Sequence, residues 1–316
     1  MTADAFVHPA LLYDGDAEYL AGTLPFIRAG LVAGEPVAVA VPGPNLALLR
    51  DALGADARRV VLRDMTVAGR NPGRIIPTVL LAFAAAHPGR RVRIIGEPIW
   101  AGRSGEEYPA CAQHEALINA AFTGRAATIL CPYDTGRLDP AWIRDAYRTH
   151  PVMASPTREW PSSAYRDPVA VAADFNQPLP DPPADAARIG IGIGSLAEVR
   201  RFVDQQAGSA GLDEDDVARL TVAVNELASN SVEHGGGTGE LAVWVQDDHL
   251  ACQLHDGGYL TDPLAGRIPV PPDGPDGGRG LLLVHQLCDL VRVHTTPAGT
   301  TIRIHLRRAS GAGANV

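Results

Sequence analysis

The sequence predicts two domains of different class: a doubly wound α/β domain on a mainly parallel sheet, then an α+β domain whose sheet is covered by helices on one face. Three observations carry this. The chain has 316 residues, roughly twice what one hydrophobic core commonly organises. Over residues 1–154, short β-branched runs alternate five times with longer amphipathic stretches, the order of parallel strands joined by crossover helices. Over residues 188–316 the order is β-α-α-β-β-loop-α-β-β, which hairpins can close into a mixed or antiparallel sheet.

In the first half, strands are expected at 10–13, 36–41, 59–62, 92–95 and 128–131, because each run is rich in Val, Ile, Leu or Ala between turn residues. Helical spacing of apolar residues follows at about 17–33, 44–53, 73–86, 107–123 and 138–148. Residues 155–187 hold Pro156, Pro161, Pro168, Pro178, Pro180, Pro182 and Pro183 with little periodicity, so a semi-stiff linker is expected there. Beyond it come a strand at 188–193 and a helix to about 207, opened by Ser195 and Glu198 as a capping box. Asp213 is placed to cap a second helix that ends at His234, before three glycines. Strands at 240–245 and 250–255 flank a hairpin turn at 246–249. A Gly/Pro-rich loop then runs over 257–280, a helix over 281–289, and a last hairpin pairs 291–294 with 300–306.

Composition narrows the function classes. Hydrophobic residues at 46% and charged residues at 20% belong to a folded globular chain. The basic total of 27 is all arginine, so a P-loop, which needs a lysine at the phosphates, and lysine Schiff-base chemistry are both excluded. Residues 1–155 carry 15 Arg against 15 Asp+Glu, and residues 156–316 carry 12 against 21, so the net charge of −9 lies wholly in the second half. An acidic surface repels phosphate backbones and anionic lipids, which argues against nucleic-acid and membrane partners and for a protein partner or a metal-bound anion. Cys111, Cys131, Cys252 and Cys288 form no C-x-x-C pair and read as buried thiols in a reducing compartment. The acidic N-terminus, and an apolar run of only 12 residues at 75–86, lead to the expectation of a cytoplasmic protein.

Three elements of the second half carry chemistry. On the helix to His234, Val217, Leu220, Val224 and Leu227 form a core stripe, and beside it Glu226, Asn230 and His234 recur every four residues on one face. His255-Asp256-Gly257-Gly258 puts a carboxylate at the end of an apolar strand, suited to accepting from the exocyclic amine of adenine, with glycines that admit close approach. Gly277-Gly278-Arg279-Gly280-Leu281 precedes a helix whose free N–H groups favour an anion and can cradle phosphate without lysine.

In this order the three elements resemble the N-box, G1 box and G2 box of the GHKL ATPases, which implies a Bergerat-type ATP-binding fold. More narrowly, the run from Val224 to Gly235 resembles the anti-sigma factor serine kinases of RsbW and RsbA type, in which a glutamate stands four residues before the metal asparagine. The resemblance implies that Glu226 is the general base and Asn230 a ligand of Mg²⁺. It also implies that Asp256 accepts from adenine and that Gly258, Gly278, Gly280, Leu281 and Thr300 shape the ATP pocket, with His234 and Arg279 beside it. Two departures stand out: Leu260 replaces a further glycine, and the lid over 261–277 is rich in proline.

The first half resembles the MEDS sensory domain through Tyr13-Asp14, Gly69-Arg-Asn-Pro72, Gly96-Glu-Pro-Ile-Trp100, His114-Glu-Ala-Leu117 and Cys131-Pro-Tyr-Asp134. The resemblance implies a RecA-like doubly wound fold without a P-loop. Asp14, Asp64, Glu97 and Asp134 directly follow expected strands, so they should share the carboxyl rim of a parallel sheet, where open α/β folds bind ligands. With Arg103 and His114 they form the expected small-molecule sensor rim. Together the resemblances imply an anti-sigma regulator that binds ATP and Mg²⁺ and, under control of the sensor domain, phosphorylates a serine of an anti-anti-sigma (STAS) partner or sequesters a sigma factor, as a homodimer. The alternatives are a non-catalytic nucleotide-dependent binding switch and, through His114-Glu115, a histidine kinase.

Overall fold

The computed structural model describes residues 6–270 and 278–308, and the chain divides into two compact units, Met1–Phe175 and Asn176–Val316. The first unit holds β1 (Pro9–Tyr13), α1 (Gly15–Val32), β2 (Val37–Val41), α2 (Gly43–Leu53), β3 (Val60–Asp64), α3 (Met65–Ala68), α4 (Ala82–Ala85), β4 (Val92–Gly96) and α5 (Tyr108–Ala121). It continues with β5 (Ala127–Asp134), α6 (Pro140–Thr149), β6 (Val152–Ser155), β7 (Arg158–Pro161) and α7 (Pro168–Asp174). The sheet order is β3-β2-β4-β5-β1-β6-β7. Every neighbouring pair is parallel except the β6–β7 hairpin. Every residue of β2 is buried, as a parallel strand between two helical layers must be.

The helix expected over 73–86 is broken into a 3₁₀ turn at Pro72–Arg74, a π-helical stretch at Ile76–Leu81 and α4. Pro77 has no N–H to give to an i−4 carbonyl, so the regular ladder cannot run through it. The 155–187 segment is not a free linker either. It contains β7 and α7, and Asp167 caps α7 by accepting from Ala170 N at 2.9 Å. Residues 176–186 belong to the second unit: the Asn176 amide forms two hydrogen bonds with the backbone of Thr295, and the Pro180 carbonyl accepts from Arg303.

The second unit contains β8 (Ala187–Gly192), α8 (Leu196–Ser209), α9 (Glu214–Glu233), β9 (Thr238–Gln246), β10 (His249–Asp256), α10 (Arg279–Leu287), β11 (Leu290–Thr296) and β12 (Gly299–Arg307). Its sheet, ordered β11-β12-β10-β9-β8, is antiparallel throughout. Alternation along the strands sends Leu241, Val243, Cys252, Leu254, Ile302 and Ile304 into one core with Val199 and Val203 of α8, Leu220, Val224 and Leu227 of α9, and Val284 of α10. On the other face Trp244, Ala242 and Ala251 pack with Ala186, and Arg303 lies 4.9 Å from the Trp244 ring centroid.

Asp213 caps α9 as expected, accepting from Asp216 N at 2.8 Å. The capping box at Ser195 does not form. The Ser195 hydroxyl instead closes on Gly192, accepting from its N–H at 2.8 Å and donating to its carbonyl at 2.9 Å, because the turn leaving β8 brings those groups nearer than the first turn of α8. Leu220 is fully buried between α9 and the sheet. Leu220→Ala is therefore expected to destabilise the second unit by about 2–5 kcal/mol, read as a lower denaturant midpoint.

Candidate functional site

In the second unit, α9 presents Glu226 and Asn230, and its last turn meets the end of β10. Asp256 is fixed there from two sides. Its Oδ2 accepts from the buried Ser231 hydroxyl at 2.6 Å and its Oδ1 from Gly258 N at 2.8 Å. The backbones then lock: Gly257 N donates to Gly235 O at 3.1 Å, and Gly235 N donates to Ser231 O at 3.0 Å. No side chain fits at this junction. A Cβ on Gly235 would fall 2.6 Å from the Asp256 carboxyl carbon and 2.7 Å from the Ser231 carbonyl oxygen, and one on Gly258 would fall 3.0 Å from the His234 carbonyl oxygen.

The loop after Gly258 is tied to the far hairpin by a chain of hydroxyls. Leu260 N donates to Thr295 Oγ1 at 2.9 Å, and Thr300 Oγ1 donates to Gly258 O at 2.8 Å. The two hydroxyls are 2.6 Å apart. Since Thr300 spends its proton on the carbonyl, Thr295 is the donor between them. Thr300 sits opposite Asp256 in the β10–β12 register, which is how a residue 44 positions later in the sequence comes to face the same space.

The opposite wall is the N-terminus of α10. Gly278 precedes it at φ +77°, in the left-handed region, and a Cβ on Gly280 would lie 2.8 Å from Glu226 Oε2 and 3.5 Å from Asn230 Nδ2. The open end of α10 thus rests on the carboxylate and the amide. Between these walls lies a solvent-open cavity of about 190 Å³, lined by Asn230, His234, Gly235, Asp256, Gly258, Gly278, Gly280, Leu281 and Thr300, with Tyr259, Leu260, Ala265, Gly266 and Ile302 as its more apolar part. Eight of the nine nucleotide-pocket residues read from sequence meet here. Arg279 does not line the cavity and is exposed. Glu226 abuts the cavity through Gly280. Among the described residues the exposed imidazole of His234 reaches its neighbour Glu233, 3.9 Å away, while the backbone N–H of His234 ends α9 on Asn230 O. Sequence reading missed Ser231, Gly235, Gly266 and Thr295. Ser231, one residue beyond Asn230, points to the core and looks like packing until β10 is in place. The lid runs on over 271–277, outside the described residues.

The residues present fit a nucleotide with Mg²⁺. Glycine backbones leave room for flat and charged groups, a fixed carboxylate stands at the apolar end, and the Asn230 amide and the N-terminus of α10 stand at the other.

In the first unit, Asp14, Asp64, Glu97 and Asp134 do end or follow parallel strands on one rim, but they do different work. Asp64 caps α3, accepting from Thr66 N at 2.9 Å, and Asp134 closes a turn on Gly136 N at 3.0 Å. A Cβ on Gly136 would meet Asp14 Oδ1 at 2.5 Å and Asp134 Oδ1 at 3.5 Å, so these two carboxylates flank the same glycine. Glu97 is buried, with Asn45 Nδ2 donating at 3.0 and 2.9 Å to its two oxygens and the Tyr13 hydroxyl donating at 3.2 Å. Burial pushes its carboxyl up to about 8, against the pull of the Asn45 and Tyr13 hydrogen bonds and with help from the Asp134 charge. Arg103 is turned inward. It donates to the carbonyls of Pro98, Arg70 and Gly69 and to Glu107, and it stacks 3.8 Å from the Trp100 ring, so it clamps two loops together. His114 is buried on α5.

Fold and pocket together define a histidine kinase-like ATPase domain, and the model of that name matches residues 193–306. The model for the methanogen/methylotroph, DcmR sensory (MEDS) domain matches residues 7–151. Among curated proteins, the serine-protein kinase RsbW of Bacillus licheniformis is 32% identical over 117 residues, 33% of this chain and 72% of that protein. RsbW of Halalkalibacterium halodurans is 31% identical over 107 residues, 30% of this chain and 65% of that protein, so this chain spans just under two thirds of that relative. The crystal structure of the RsbU and RsbW domains of a Mycobacterium tuberculosis protein is alike at a TM-score of 0.30 with 22% identity, over 40% of this chain and 33% of that one, too little to bear on function. The chain belongs to the anti-sigma factor serine-protein kinase family of RsbW, and it carries a MEDS domain ahead of its ATPase domain.

Two outcomes are expected from this geometry. Gly235→Ala should destabilise the second unit by roughly 1–3 kcal/mol, whereas Gly208→Ala in α8, which meets nothing within 4 Å, should be neutral or stabilising in the same denaturant titration. Because the Glu97 pKa is raised in the folded state, the unfolded chain releases that proton first. Stability of the first unit should therefore fall as pH rises from about 4.5 to about 8, at up to roughly 1.4 kcal/mol per pH unit, and then level off. Glu97→Gln should flatten that slope in thermal melts across the range.

Proposed function

We propose that the second unit binds ATP with Mg²⁺ and acts as an anti-sigma switch, transferring phosphate to a serine of an anti-anti-sigma (STAS) protein or holding a sigma factor. The observation that carries the reading is the convergence of Asn230, Asp256 and the α10 N-terminus on one cavity, with Glu226 at its edge. Asp256 keeps free lone pairs beside its two hydrogen bonds and accepts from an adenine amine, while Tyr259, Leu260 and Ile302 cover the apolar ring. The first N–H groups of α10 face the phosphates. Asn230 would hold Mg²⁺ through its amide oxygen, and the ion would supply positive charge against that of the phosphates.

Glu226, half-buried beside Gly280 at the edge of the cavity, is read as the group that meets a partner's serine. It takes the hydroxyl proton as that oxygen bonds to the γ-phosphorus and the bond to the β-phosphate oxygen breaks, releasing ADP. The first unit is read as a RecA-like fold without a P-loop, supported by β1 lying between β5 and β6. It supplies the controlling input through its acidic rim, of which Asp14, Glu97 and Asp134 remain the candidates. The switch is read as a cytoplasmic homodimer. Among the described residues no helix is long and apolar enough to cross a membrane.

Calorimetric titration of ATP and Mg²⁺ should show binding that Asn230→Ala and Asp256→Asn each weaken by at least tenfold. Glu226→Gln should keep binding within a few-fold and lower phosphate transfer to a STAS partner by about 10²–10⁴. Unchanged transfer by Glu226→Gln would remove the base assignment, and an acid-labile phosphate on the protein itself would point to a histidine kinase.

A further inference from the structure

Four side chains that the rim and the nucleotide pocket leave unused meet in the core of the first unit. His8 immediately precedes β1 and His150 lies just before β6, and those strands pair with Pro9 opposite Val152. Cys131 is on β5, opposite Ala10, and Glu115 projects from α5. All four are at most 1% exposed. His8 Nε2 is 3.3 Å from Cys131 Sγ and 3.4 Å from Glu115 Oε2, and His150 Nε2 is 3.3 Å from the same carboxylate oxygen. One donor atom from each lies within 4.8 Å of all the others.

The surrounding hydrogen bonds fix where the protons are. Asn119 Nδ2 donates to the carbonyls of Thr149 at 2.8 Å and Ala116 at 3.2 Å, so its Oδ1 accepts, and His8 Nδ1, 3.2 Å away, must carry a hydrogen. His150 Nδ1 lies 3.0 Å from the Ala146 carbonyl, which can only accept. As neutral rings, both imidazoles therefore turn an Nε2 lone pair toward a carboxylate. By geometry neither Glu115 oxygen nor His150 Nε2 completes a hydrogen bond, and with both rings neutral the one proton on the four inward-facing atoms is that of the Cys131 thiol. Lone pairs and an anion crowded together without water are costly unless a cation lies between them.

We propose that His8, Glu115, Cys131 and His150 form a closed four-ligand site for a divalent transition metal of the zinc class. Two imidazole nitrogens, a thiolate and a carboxylate are the mixed donor set such ions take tetrahedrally, and bonds of about 2.0–2.3 Å give a tetrahedron with edges of about 3.3–3.8 Å. The separations of 3.3, 3.4 and 3.3 Å given above match those edges. Charge balances as well: the thiolate and the carboxylate together neutralise the dication, and binding releases the Cys131 proton to solvent. Asn119 and Ala146 then hold the two rings by their Nδ1–H groups, the usual outer support of metal-bound histidines. With four protein ligands and no solvent face, the ion would cross-link the β1, β5 and β6 region to α5.

The test uses the full chain, stripped with chelator and titrated with Co²⁺. One equivalent should produce the visible bands of tetrahedral cobalt with a thiolate-to-cobalt charge-transfer band, and Zn²⁺ should bleach them and raise the thermal midpoint. Cys131→Ala should lose the charge-transfer band, and Asn119→Ala, which touches no ligand position but removes the support of His8 along with the bonds to the Thr149 and Ala116 carbonyls, should weaken cobalt binding about 10–100-fold. A wild-type protein that gives no tetrahedral spectrum and no thermal shift overturns the site, whether or not the variants fold. So does an undiminished thiolate band in folded Cys131→Ala, or a weak octahedral spectrum from surface carboxylates.

Discussion

A Cβ at Gly235 would stand 2.6 Å from the carboxyl carbon of Asp256, and one at Gly258 would stand 3.0 Å from the carbonyl oxygen of His234. The end of α9 can reach the end of β10 only backbone to backbone. That close approach decides the second unit. It lets Ser231 bond to Asp256, it lets Gly257 bond to Gly235, and it sets Asn230 across a narrow space from the strand end. Gly280 repeats the device on the other side, bringing the start of α10 against Glu226 and Asn230. The cavity is the space these glycines leave, and the apolar stripe of α9 on the sheet keeps it in register.

The two units treat buried polarity differently. In the second, polar groups at the pocket are paired with backbone and hydroxyls, so Asp256, Thr295 and Thr300 have defined donors and acceptors. In the first, charged groups go deep. Arg103 is satisfied by three carbonyls and a carboxylate, and Glu97 by Asn45 and Tyr13. Glu115 is left facing two histidines without a hydrogen bond. A buried group left unpaired more often marks function than stability, and in the first unit that group is Glu115.

Much of the second unit was legible because its signals are local. Asp213 caps α9, Leu220, Val224 and Leu227 face the core, and Glu226 and Asn230 share a face because four residues make about one turn. The Ser195 capping box failed because a nearer pair of backbone groups at Gly192 competed for the same hydroxyl. The prolines of 155–187 read as linker, yet Pro161 ends β7 and Pro168 opens α7, roles that proline fills without breaking either element. Arg103 and Asp64 read as site residues because a sequence cannot tell a charged side chain that clamps loops or caps a helix from one that waits for a ligand.

By itself the sequence determined the order of the elements in the second unit, the two classes of sheet and the three motifs that meet at the cavity, since each depends on spacing within a few residues. Only the tertiary structure decided that Thr300 faces Asp256 and that Ser231 anchors it. The same holds for the meeting of His8, Glu115, Cys131 and His150, drawn from four stretches of chain. Strand order and helix docking fix such neighbours, and those are set by packing among residues too far apart for any short pattern to record.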